Sequence, residues 1–523
     1  MQVREMKPVK KAQKGIAKII FSRAFVLVAL LLIQIGVFAL AVTYVKDYAN
    51  FIYAAFVILE IISVIAIINS DSDPNFKTTW ILVILILPIF GAAFYVFVKS
   101  QLGTRILKKR LHDMEKKTMP YMQQNEEVLE SLRISKPANA NLATYLNNNS
   151  LNFPVYQNTS VKYFTSGEEK FEEMKIQLRN AKKFIFLEYF IVEKGKMWGE
   201  ILSILKDKVW EGVEVRFMYD GMCSINQMPV GYEKEMKRAG IKCKLFNPVT
   251  PVLSSAQNNR DHRKICVIDG EVAFTGGINL ADEYINVKER FGHWKDTAVM
   301  LEGEAVQSFT MMFLQMWNIN EKRQEIFAKY LSERSGEVRR ELGYVLPYAD
   351  SPYDNEDVGK RVYLHILDHA KKYVHIITPY FILDNETMDA LCHAAKCGIE
   401  VIVIMPHIPD KWYAFVLAKT YYKKVMEAGV KIYEYTPGFV HAKVFVSDGD
   451  TATVGTVNLD YRSLYHHFEC GAMIYNNTVV WDVEKDFQNT LSKCRLVTKE
   501  DLERRSVFEK VAGSVLKLIA PLM

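Results

Sequence analysis

HAKVFVSDGDTATVGTVN, residues 441–458, sets a histidine and a lysine two positions apart at the start of a strand-like run and closes on Gly-Thr-x-Asn. In a strand, residues i and i+2 share a face. His441 and Lys443 therefore point one way, while Val444 and Val446 point the other. Asp448-Gly449 is a two-residue hairpin signal, and TATV is the returning strand. HRKICVIDGEVAFTGGIN, residues 262–279, repeats the pattern. His262 and Lys264 share a face, Asp269-Gly270 makes the turn, and Asn279 falls 17 residues past its histidine, as Asn458 does past His441. Ordinary residue usage gives on the order of a few hundredths of one His-x-Lys-x4-Asp match in such a chain. Two, each with the same trailing Gly-[Gly/Thr]-x-Asn, exclude coincidence.

The repetition extends outward. KKFIFLEYFI begins at Lys182 and KKYVHIITPYFI at Lys371; AGIKCKLFNP begins at Ala239 and AGVKIYEYTP at Ala428, both pairs 189 residues apart. A helical stretch and a second buried-strand pattern (VEVRFMYD, then IEVIVIMP) lie between the landmarks of each half. Strands alternating with helices predict an α/β body, each half a central sheet flanked by helices. The period is too long for a solenoid and marks a duplicated domain.

The N-terminus has another character. AFVLVALLLIQIGVFALAVTYV at 24–45 carries no charge and, at about 1.5 Å per residue, is long enough to cross a hydrocarbon core of roughly 30 Å. Two more apolar runs follow, 51–68 with Glu60 inside it and 80–98, with Tyr44, Trp80 and Tyr95 near run ends. Basic residues crowd both the start and the exit of this region, which under the positive-inside rule wants an even number of crossings. Three runs are odd, so either one does not cross or one end breaks the rule. The expectation is a multi-pass cell-membrane protein with its catalytic part in the cytoplasm.

The boundaries expected are 1–100 for the basic N-terminus and two or three transmembrane helices, 101–150 for a juxtamembrane linker, 151–335 and 336–500 for the two lobes, and 501–523 for an amphipathic C-terminal helix. That helix fits either an anionic bilayer surface or a terminal helix packed on the body. The net charge of +6 favours anionic partners without choosing among them. Seven scattered cysteines match no zinc pattern and read as reduced thiols, with Cys266 in the core. His466 and His467 lack the His-x-Lys context and read as structural.

Two imidazoles, two ammonium groups and two amides gathered about a pseudo-two-fold axis suit a phosphodiester. Lys264, Lys443, Asn279 and Asn458 would hold the phosphate oxygens and the charge that builds on them. One histidine would attack phosphorus, and the other would protonate the departing alcohol and deprotonate the incoming one. Each ring needs a carboxylate on its far nitrogen. Asp296 and Glu469, each between apolar positions, are the candidates. Asp269 and Asp448, of opposite strand parity and in the turn, look more like hairpin-fixing residues than proton carriers. No metal and no cofactor is expected.

These paired H-x-K-x4-D stretches, with G-[GT]-x-N and NLDYRS after the second, resemble the phospholipase D superfamily, and within it the bacterial cardiolipin synthases. NRDHRKICVIDG at 259–270, WKD at 294–296, YADSPYDNE at 348–356 and VGTVNLDYRSLYHHFE at 454–469 carry the resemblance over essentially the whole chain. It implies two pseudo-symmetric lobes, each with a mixed sheet, and transfer of a phosphatidyl group between two phosphatidylglycerols to give cardiolipin and glycerol. It implies His262 as nucleophile, His441 as general acid and base, Asp296 and Glu469 as orienters, and Asp269 and Asp448 completing the catalytic motif. The leading run at 24–45 departs from the commoner two-span N-terminus. Phosphatidylglycerol, cardiolipin and anionic membrane lipids are the expected partners, and nucleic acid is not. The same residues would serve a hydrolytic phospholipase D, while a membrane-anchored scaffold with a disabled site is disfavoured by two intact motifs. Neither the headgroup of the second lipid nor the oligomeric state is encoded in any of these patterns.

Overall fold

The computed structural model describes residues 49–100, 102–148, 152–223, 227–229, 231–248, 258–321, 325–332, 343–354 and 356–522, with Leu32 and Gly36. Apart from those two, the run 24–45 lies outside the described residues. The chain divides into an N-terminal unit ending at Arg105 and a larger unit beginning at Ile106.

In the N-terminal unit, the run 51–68 falls in one helix, Ala49–Ile68. The run 80–98 is not continuous. A helix Pro74–Ile86 ends at Leu87, and Pro88 opens a second, Pro88–Ser100. Proline has no amide hydrogen to donate into a continuing helix. Gly91 then lets the second helix lie against the first, since a Cβ there would meet Ile84 Cα at 2.7 Å. Trp80 and Tyr95 pack edge to face at 5.3 Å over Ile67 and Ile84. Each of these 13-residue helices is about 20 Å long. Among the described residues, no helix is long and apolar enough to cross a membrane.

In the larger unit the strands are β1 (Thr159–Phe164), β2 (Phe184–Tyr189), β3 (Glu214–Asp220), β4 (Lys242–Phe246), β5 (Lys264–Ile268), β6 (Val272–Gly276), β7 (His293–Lys295) and β8 (Ala298–Gly303) in the first repeat. The second supplies β9 (Tyr344–Asp350), β10 (Tyr373–Ile377), β11 (Glu400–Pro406), β12 (Lys431–Tyr435), β13 (Gly438–Val440), β14 (Val444–Ser447), β15 (Thr451–Gly455), β16 (Glu469–Tyr475) and β17 (Cys494–Leu496). One sheet runs β1-β8-β6-β5-β2-β3-β4. The other, taken from β9, runs β9-β16-β15-β14-β10-β11-β12 and adds β17. The order is the same element for element, as a duplicated ancestor requires. Both sheets are mixed: β2, β3 and β4 pair in parallel, and β2 meets β5 antiparallel.

FIFLEY in β2 is buried at every position, so both faces of its sheet are covered. Ile185 and Leu187 pack with Gly167–Asn180 and Lys196–Trp210 on one side. Phe186 stacks on Phe313 at 4.5 Å on the other. Phe313 belongs to Val306–Asn318, a helix buried along nearly its whole length and sharing a core with Val345, Phe468 and Cys470 of the second repeat. That shared core joins the lobes back to back.

The Asp-Gly turns are built as their sequence demands. Asp269 and Gly270 have φ of 55° and 71°, and Asp448 and Gly449 have 55° and 72°, the two successive positive values of a type I′ hairpin. The Asp269 carboxylate accepts from the amides of Lys182, Lys183 and Phe184 at 2.7–2.8 Å. Asp448 accepts from Lys371, Lys372 and Tyr373 at 2.7–3.1 Å. Each carboxylate is committed to three backbone amides at the start of the neighbouring strand.

The C-terminal helix Val507–Ile519 packs on Trp412–Glu427. Gly513 permits the approach, since a Cβ would come within 2.7 Å of Thr420. Val507, Phe508, Val511, Val515 and Leu518 nevertheless stay more than half exposed, and Phe508 stacks on Trp412 at 6.2 Å.

Asp269→Ala or Asp448→Ala strands three amides and is expected to cost about 2–3 kcal/mol, read as a lower unfolding temperature. At a temperature where the variant stays folded, turnover should be largely retained. A loss on the order of a thousandfold there would return these aspartates to the chemistry.

Candidate active site

Each imidazole sits where one repeat lends backbone to the other. His262 precedes β5, and its amide donates to the Phe468 carbonyl at 2.9 Å, one residue before Glu469. Across the pseudo-two-fold, the His441 amide donates to the Lys295 carbonyl at 2.7 Å, one residue before Asp296. The second contact extends the parallel pairing of β13 with β7. The side chains follow the same crossing. His262 Nδ1 lies 2.9 Å from both oxygens of Glu469, and His441 Nδ1 lies 2.7 Å from Asp296 Oδ2. All four groups are buried.

The motif glycine and threonine answer to these carboxylates. A Cβ at Gly277 would collide with the Asp296 carboxylate. At the matching position of the second repeat stands Thr456, whose hydroxyl donates to Glu469 Oε2. The variable residue of Gly-[Gly/Thr]-x-Asn thus adjusts each lobe to its own acid.

Lys264 and Lys443 are buried behind the rings, each donating to the carbonyl of the histidine two residues earlier. Burial pushes Lys264 down to about 8 and Lys443 down to about 7, despite the pull of Asp296 and Glu469. Burial also holds His441 down at about 4, with Lys443 adding to it, and depresses His262 well below the usual imidazole range. Burial pushes the Glu469 and Asp296 carboxyls up, but their histidine partners outweigh it and keep both below their ordinary values. The state that follows is two carboxylates facing two neutral imidazoles, each with its proton on Nδ1. That leaves each Nε2 a free base.

Asn279 and Asn458 are buried and differ in engagement. Asn279 accepts from the Ile191 amide at 3.0 Å and donates to the Tyr284 hydroxyl at 2.8 Å. Among the described residues, Asn458 Oδ1 finds no hydrogen-bond partner. Aromatic rings wall both imidazoles: Phe190 at 4.9 Å from His262, and Tyr284 and Trp294 at 5.4 and 5.3 Å from His441.

A family profile described as "Cardiolipin synthase, PLD-like domain" matches residues 174–317 and 363–491, spanning both histidine motifs. A second, "Phospholipase_D-nuclease N-terminal", matches 58–99. The chain is 34% identical over 511 residues to a cardiolipin synthase of Halalkalibacterium halodurans, covering 96% of this chain and all of that one. This chain belongs to the phospholipase D-like cardiolipin synthase family. It is also 54% identical over 461 residues to an uncharacterized protein of Streptococcus mutans, covering 88% of this chain and 99% of the relative. Among solved structures, the phosphatidylserine synthase of Haemophilus influenzae matches at a TM-score of 0.54 and 15% identity, over 73% of this chain and 97% of that one. That likeness is one of fold.

Within this cardiolipin synthase-family site, sequence reading missed Phe190, Tyr284, Trp294 and His467. Trp294 and His467 occupy matching places two residues before their acids, a spacing that could have drawn attention to them. His467 abuts a motif acid, and its ring centroid is 5.4 Å from that of His262.

Keeping His441 neutral links folding to pH. Its native value of about 4 lies below the unfolded value of 6.5, so the unfolded chain takes up a proton first. Stability is full above about pH 6.5 and falls as pH drops toward 4, by on the order of 3 kcal/mol from this residue. Denaturant titrations across that window should show the slope, and His441→Asn should reduce it.

Proposed function

We propose that this protein transfers a phosphatidyl group from one phosphatidylglycerol to a second, giving cardiolipin and glycerol. The observation that carries the reading is the pair of crossed imidazole–carboxylate contacts, which supply one nucleophile and one proton carrier to a single phosphodiester. His262 Nε2 attacks phosphorus and the bond to the glycerol oxygen breaks, leaving a phosphohistidine. His441, as imidazolium, gives that oxygen its proton. The second phosphatidylglycerol then surrenders a hydroxyl proton to His441 and attacks phosphorus, and the P–N bond breaks to restore His262.

His441 must be charged for the first step, and burial disfavours that in the empty site. The phosphodiester anion supplies the missing counter-charge: beside Lys264 and Lys443 it raises the proton affinity of ammonium and imidazole alike. Lys264 and Lys443 then stabilise the equatorial oxygens, joined by the donor end of the Asn458 amide, its Nδ2. Asn279 contributes by holding the Ile191 backbone and Tyr284 beside His441.

A bilayer setting is part of the proposal. Phe51, Tyr53, Ile58, Ile61, Ile62 and Ile65 are all more than half exposed on Ala49–Ile68, an apolar display that wants lipid. The run 24–45 is read as an anchor, and the reading takes the catalytic unit to be cytoplasmic, the side that basic flanks favour. The exposed face of Val507–Ile519, flanked by Lys510 and Lys517, would seat on anionic headgroups.

Purified full-length protein incubated with phosphatidylglycerol vesicles should yield cardiolipin and glycerol. Phosphatidic acid and glycerol instead would make the protein a phospholipase D with water as acceptor. His262→Ala and His441→Ala should each lower transfer by at least about a thousandfold. Full transfer by His441→Ala would remove the assignment. Mapping of the phosphatidylated peptide under alkaline conditions, which preserve an acid-labile P–N bond, fixes which ring attacks, with His262 expected. Val511→Glu should lower activity on anionic vesicles about tenfold while sparing short-chain lipid in micelles, the loss of roughly 1.4 kcal/mol of surface binding.

A further inference from the structure

We propose that His262, His467 and Glu469 form an inhibitory site for one imidazole-preferring dication, of the Zn2+, Co2+ or Ni2+ kind. The proposal rests on the reading of His262 as nucleophile, since the metal would take that ring out of the reaction. Donor atoms of the three side chains lie within 4.8 Å of one another, and all three residues are buried. His467 Nδ1 is 3.7 Å from Glu469 Oε1, beyond hydrogen-bond reach. Both ring nitrogens of His467 are buried without a hydrogen-bond partner. A buried polar group left so is costly, and a ligand would recover that cost.

Two imidazoles and one carboxylate are the donor set of open zinc sites, with a fourth position left for water or substrate. Metal–donor bonds of about 2.0–2.2 Å put tetrahedral donors roughly 3.4 Å apart, so the trio must close by about an ångström. A turn of the His467 ring, whose nitrogens make no hydrogen bond among the described residues, supplies that movement. Lys264 nearby opposes any cation, so only ions that bond strongly to imidazole compete, and Mg2+ and Ca2+ do not. The pseudo-two-fold offers no second copy: the position matching His467 is Trp294, which has no ligand atom. One ion per chain is expected.

The test uses full-length protein in detergent, freed of metal by chelator. Equilibrium dialysis against Zn2+ should show one equivalent bound, and Co2+ should give the visible absorption of a tetrahedral site. Zn2+ should abolish transfer reversibly, with Mg2+ without effect. His467→Asn and His467→Gln, each measured against its own metal-free transfer rate, should show Zn2+ binding and inhibition weakened at least tenfold, or about 1.4 kcal/mol. Equal Zn2+ inhibition of wild type and both variants, or no stoichiometric binding by wild type, overturns the site. A wild type that binds one Zn2+ yet never forms cardiolipin overturns the synthase reading and leaves the metal site standing.

Discussion

Each half of this protein orients the other half's histidine. Glu469 closes on His262 and Asp296 on His441, and the backbone carbonyl before each acid receives the amide of the same histidine. Neither repeat can assemble a braced imidazole alone, because the acid that fixes its tautomer arrives on the other sheet. The contact is also what makes buried charge tolerable. A carboxylate sealed in this interior without a hydrogen-bonded partner would neutralise or unfold its surroundings. Crossing the acids makes correct docking of the lobes and correct tautomers one and the same event.

From that brace follows a buried cluster of titratable groups. Two lysines are buried so far that burial lowers both, and two imidazoles are held neutral beside them. The acids are already spent on the rings. Lys264 and Lys443 stand beside the rings, where the phosphodiester proposed above would meet both ammonium groups. Preorganisation of this kind costs stability in the free protein and returns it as selective stabilisation of a charge-accumulating transition state.

Much of this was legible in the sequence because duplication writes everything twice. A His-x-Lys pair on one strand face is ambiguous alone; the same pair at matching places of a 189-residue repeat is not. Strand parity separated Asp269 and Asp448 from the histidines, and their three-amide clamps show why the motif needs an aspartate there. The crossing of Glu469 to His262 was not legible, since it is decided by which sheets share the core around Val306–Asn318. Nor was the break at Pro88, where an apolar run of spanning length conceals two helices folded on Gly91. The internal bonds of Asn279 escaped because hydropathy and spacing carry no information about where an amide finds its partners.

Where the repeats diverge, the site loses its symmetry. Asp296 with Gly277 faces Glu469 with Thr456, and Trp294 faces His467. The longer acid takes an extra hydroxyl bond from Thr456 and contacts His262 through both oxygens; the shorter one splits its oxygens between His441 and the Thr297 amide at 2.8 Å. Each acid therefore serves one histidine and one further donor, a hydroxyl for Glu469 and a backbone amide for Asp296, so the repeats differ in how each carboxylate is held rather than in whether it is shared.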